Sequence, residues 1–144
     1  MNWRVFAGLV LLTGAGLACA CVPDLGAGKG AKPQIIDAKH YAVAWRTLPD
    51  KIVIGQHFVV ELSVCAKDGA AAPHSVRVDA HMPEHRHGMN YKTAVTSSGA
   101  GKYRAEGLMF HMPGRWEYIF EVRAGADGGV ANVTERMTTS VVLQ

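Results

Sequence analysis

The feature that most constrains this chain is a period-two alternation of apolar and polar residues. In "RWEYIFEVR", residues 115–123, Trp116, Tyr118, Phe120 and Val122 share one face against Glu117, Glu121 and Arg123. Successive side chains point to opposite faces only on an extended backbone, so this run predicts a strand with one buried face. The same reading applies to Tyr41, Val43 and Trp45, and to Phe58, Val60, Leu62 and Val64. It applies again to Val76, Val78 and Ala80 against Arg77, Asp79 and His81, and to Tyr103 and Ala105 against Lys102, Arg104 and Glu106. "YKTAVTS" before the turn "SGAG" and the β-branched "NVTERMTTSVVL" complete the series. Glycine- and proline-rich turns separate the runs, and no helical stripe of comparable length exists. About seven strands within residues 35–144 predict an all-β, immunoglobulin-like Greek-key β-sandwich, with an up-and-down barrel as the competing arrangement.

The 144 residues suffice for one domain. They open with Arg4 in a short charged region, an apolar run from Val5 to Leu17, and the small-residue exit "ACAC". This predicts a secretory signal peptide over residues 1–20, placing the mature domain in the periplasm. Cleavage after Ala20 leaves Cys21 first, as a free residue or as the attachment point of a lipid anchor, and Cys19 is a third possible point of lipid attachment. Residues 21–34, "CVPDLGAGKGAKPQ", read as a flexible tether. Cys65 lies in a strand-like run and reads as a small buried hydrophobe, with a bond to Cys21 requiring the tether to fold back. The net charge of +3 is interspersed along the chain, so nothing here predicts a nucleic-acid surface.

The chemistry concentrates in "HMPEHRHGM", residues 81–89, and "HMPG", residues 111–114. These hold four of the seven histidines and three of the six methionines, which makes scattered surface placement a poor account. Thioether sulfur is soft and suits Cu(I), while imidazole accepts Cu(I), Cu(II) or Zn(II). Methionine is rare in zinc sites, so the mixed set points to copper. The candidate metal ligands are His85, His87, Met89 and His111, followed by Met112 and then Met82. Met82 shares the parity of the core residues Val76, Val78 and Ala80, and His81 has the opposite parity. His40, His57 and His74 have no such company and read as surface or turn residues. No serine elbow, H-E-x-x-H motif or paired carboxylates point to an enzyme.

With these motifs, "VDAHMPEHRHGMNY" and "GKYRAEGLMFHMPGRWEYIFEV", the chain resembles the YtkA-like family of small exported β-sandwich domains. The resemblance covers most of residues 50–123 and implies a sandwich, often membrane-tethered, associated with copper handling. A weaker similarity is to periplasmic chaperones that supply the Cu(A) centre of cytochrome oxidase. Their pattern ends in methionine, a spacer and His-x-Met; here Met89 precedes His111 by the right interval, but Met112 follows His111 directly. The expected function is a periplasmic copper chaperone or buffer, exchanging Cu(I), or Cu(II), with a periplasmic or membrane protein. The alternative is a metal-independent accessory or assembly module for a membrane redox complex.

Overall fold

The computed structural model describes residues 21–125 and 132–144; the expected signal peptide lies outside the described residues. Nine strands form among them. They are β1 (Gln34–Asp37), β2 (Tyr41–Leu48), β3 (His57–Ala66), β4 (Ser75–Met82), β5 (His87–Gly88), β6 (Ala94–Gly99), β7 (Lys102–Met109), β8 (Gly114–Ala124) and β9 (Asn132–Leu143). One antiparallel sheet runs β1-β2-β3-β7-β6, and the other runs β5-β4-β8-β9. The order β2-β3-β7-β6 facing β5-β4-β8-β9 is the immunoglobulin-type Greek key with one added short strand at each of two edges. Those short strands, β1 and β5, are why nine strands stand where about seven were expected.

The period-two faces close on each other as the sequence predicts. Val60, Leu62, Val78, Leu108, Phe110, Trp116, Phe120 and Val122 are among the fully buried residues between the sheets. Burying side chains of this size stabilises the fold by about 1.5–3 kcal/mol each. The aromatic residues form a connected column: Phe58 meets Phe110, and Phe110 stacks on Trp116 with ring centres 4.5 Å apart. This column runs toward the end of the sandwich that carries both HMP motifs.

Strand β2 departs from alternation, since Tyr41 through Thr47 are all buried. The reason is the segment expected to be a tether. It passes over the five-stranded sheet and covers the second face, where Ala42, Ala44 and Arg46 lie. Arg46 donates to the Gly26 carbonyl, and the Ala31 N–H donates to Thr47 O. Cys21 is disulfide-bonded to Cys65, with a Cα–Cα separation of 5.7 Å. Cys65 is therefore not the buried free thiol that its strand context suggested. The chain doubles back across β2 and β3 and delivers Cys21 to it, which local patterning around Cys65 does not encode.

Candidate metal site at the two HMP turns

Both HMP motifs stand where strands of one end turn over. The first ends β4 and reverses through residues 83–86 into β5, with Met82 paired to His87 and His81 to Gly88. The backbone N–H groups of His85 and Arg86 both donate to the Met82 carbonyl. Arg86 closes this turn in the left-handed region, at φ 56°, as the last loop residue of a tight hairpin often does. The second motif carries the chain from β7 in one sheet to β8 in the other. Gly114 starts β8 at φ +122°, and a Cβ there would lie 2.7 Å from the Met82 methyl. The positive φ favours glycine at the point where one motif rests on the flexible tip of a residue of the other.

The two motifs meet. The rings of His87 and His111 have centres 5.2 Å apart, and those of His85 and His87 are 5.8 Å apart. Two imidazoles sharing one ion at metal–nitrogen bonds of about 2 Å have ring centres roughly 5–6 Å apart. His85 is exposed on the turn, whereas His87 and His111 are half-buried. His87 Nδ1 lies 3.0 Å from the Gly88 carbonyl. With the proton on Nδ1, that contact leaves the Nε2 lone pair free to bind. His111 Nδ1 is buried with no hydrogen-bond partner. An unpaired buried imidazole nitrogen is costly in a purely structural role.

Beneath the histidines lies Trp116, fully buried, whose Nε1–H donates to the Met112 carbonyl at 3.1 Å. Arg115 and Glu84 join the two turns through an ion pair of 2.7 Å. The guanidinium of Arg115 holds the Glu84 carboxyl below the usual carboxylate range, and backbone hydrogen bonding adds to this.

The methionines are placed differently from one another. Met112 is partly buried, packed against the core cluster beside His111. Met82 is 1 % exposed, as its parity suggested, with its methyl against Gly114. Met89 donates its backbone N–H to Ala80 O and lines a groove of about 510 Å³ with Val76, Arg77, Asp79 and Val95. His81 turns outward and faces Glu117 at 3.5 Å. Of the isolated histidines, His57 packs edge-on against Tyr91 and His40 sits near Glu135. Among the described residues, no group of three or more His, Cys, Asp and Glu is arranged to hold a metal ion.

Sequence reasoning identified the histidines but not their support. Parity predicted that Trp116 is buried, yet nothing local announces that its N–H reaches Met112. The Glu84–Arg115 pair follows the two HMP motifs closely in sequence, and that shared position was the available signal.

The strand order, the paired HMP turns and the residues between them coincide with a family match over residues 37–121, described as YtkA-like. The chain belongs to the YtkA-like family. No curated protein matches it. Among solved structures it is similar to a DUF4426 family protein from Pseudomonas aeruginosa. That likeness has 13 % identity, covers 78 % of this chain and 96 % of the other, and has a TM-score of 0.41.

Proposed function

We propose that this YtkA-like domain binds copper, preferentially Cu(I), and buffers it or passes it to another exported or membrane protein. The observation that carries this reading is the meeting of His87 and His111, drawn from different connections, at a ring separation of 5.2 Å. The donor set supports it: imidazole nitrogens and the thioether of Met112, next to His111 in the chain, suit a soft monovalent ion that accepts few ligands. In this reading His87 and His111 hold the ion, Met112 supplies the soft donor, and exposed His85 is the exchange point. Met82 is too deeply packed to contribute without rearrangement, and Met89, partly buried at the edge of its groove, is a further candidate soft donor.

The periplasm is the compartment proposed, following from the leader-like first residues and agreeing with a disulfide. The Cys21 sulfur cannot carry a lipid while bonded to Cys65, so the cross-linked form is the one proposed for the exported domain.

A second reading is a metal-independent assembly module for a membrane redox complex. The exposed turn residues Glu84, His85 and Arg86 and the exposed Tyr91 would be its recognition surface. Anaerobic titration of the mature domain with Cu(I) against a competing chelator separates the two. The copper reading predicts one tight equivalent, with Met112→Leu weakening Cu(I) binding more than Cu(II) binding. Uptake no greater than that of a domain with residues 83–89 scrambled supports the assembly reading instead.

A further inference from the structure

We propose that Trp116 is a positioning residue for this site, setting the His111–Met112 turn and holding His87 and His111 side by side. The inference rests on the copper reading above and deepens it. Trp116 sits near the start of β8, a strand paired on both edges, by β4 and by β9. Its register partner Val141 fixes the backbone from which the indole projects. From that fixed base the ring grips the turn twice. It stacks on Phe110, the residue just before His111, at an interplanar angle of 18°. Its N–H then holds the carbonyl of Met112, just after His111. His111 is thus clamped between two points of attachment to one side chain.

The histidine rings are also constrained directly. His111 meets Trp116 with ring centres 5.3 Å apart at 79°, and His87 meets it at 6.0 Å and 70°. Edge-to-face contact with a buried indole limits ring rotation for both. A tryptophan serving only the core would need its burial and its stack. Burial also asks for some acceptor for the N–H; here that acceptor is the carbonyl of Met112, one residue past His111. Trp45 provides the contrast: it is also buried in the core, and its Nε1 has no hydrogen-bond partner.

Trp116→Phe keeps an aromatic ring against Phe110 and deletes the donor. Loss of an orienting partner typically weakens metal affinity about 10–100-fold. Cu(I) affinity should therefore fall about tenfold in this variant, near the lower end of that range. In the metal-free domain, the His111 ring resonances should shift while those of exposed His85 stay in place. Should Trp116→Phe fail to fold, both tryptophans of the mature domain can be replaced by benzothienylalanine, in which sulfur stands for the N–H. Because Trp45 Nε1 makes no hydrogen bond, that replacement removes only the bond to Met112. Wild-type Cu(I) affinity and unshifted His111 resonances in the variant overturn the role of Trp116 and leave the copper reading standing. A wild-type domain that takes up no Cu(I) overturns both.

Discussion

The two ends of the sandwich differ in which polar groups they gather. At the end where β2 begins and β3 finishes, charged side chains tie separate segments together, although His40 Nδ1 and Arg123 Nε are buried there without a hydrogen-bond partner. The Glu135 carboxylate accepts from the backbone N–H groups of Lys39, His40 and Tyr41 at 2.9–3.2 Å. Lys67 pairs with Asp37 and donates to Ala38 O, and the Tyr41 hydroxyl donates to Ala71 O. Cys21 and Cys65 cross-link the same region. About 30 Å away along β3, the other end gathers imidazoles with few partners and leaves His111 Nδ1 unpaired. The first arrangement holds the fold together, because its carboxylate, ammonium group and disulfide fasten separate strands to one another. The second gathers the imidazoles of His85, His87 and His111 from two different turns.

That division is open to test, and the largest effect belongs to the closed end. The disulfide spans a sequence separation of 44 residues. Replacing both cysteines by serine should lower unfolding stability by about 4 kcal/mol on the loop-entropy account, read from urea denaturation. Cu(I) affinity should be unchanged in the variant while it remains folded. Glu135→Ala comes next. It strands backbone donors of Lys39, His40 and Tyr41 where β9 is fastened to the start of β2. The expected loss is about 1–3 kcal/mol, again without effect on copper. A smaller change is expected at the open end from Gly114→Ala. The φ of +122° disfavours any side chain, and the new methyl would press on the flexible tip of Met82. Thermal unfolding should show a loss of about 1–2 kcal/mol, and Cu(I) binding should weaken as the second turn shifts. Equal sensitivity of copper binding to all three substitutions would remove the distinction between the ends.

Much of this architecture is legible in the chain. Trp116, Tyr118, Phe120 and Val122 read as a buried strand face because alternation reports burial directly, and they are buried. Met82 carried the same signal. The clustering of His85, His87 and His111 was also visible, because hairpins and sheet crossings bring turns at one end of a sandwich together. What was not legible depends on distant chain segments. The Cys21–Cys65 bond requires residues 21–33 to run back over β2, and their glycine- and proline-rich composition reads as a loose tether. The pairing of β5 with β4 sets Met89 at the groove that Val95 also lines, which its spacing to His111 does not reveal. The Trp116 hydrogen bond depends on where β8 sets the indole relative to the preceding turn, which periodicity cannot specify.

The central claim is that the open end binds copper through His87 and His111 without contributing much to stability. The most direct measurement is a Cu(I) competition titration of the wild-type domain beside the His87→Gln/His111→Gln double variant, with urea unfolding of both. One tight equivalent is expected for the wild type and is lost in the variant, with unfolding stability changed by no more than about 1 kcal/mol per substitution. Cu(I) uptake by the double variant equal to that of the wild type would contradict it, as would a wild-type domain that takes up none.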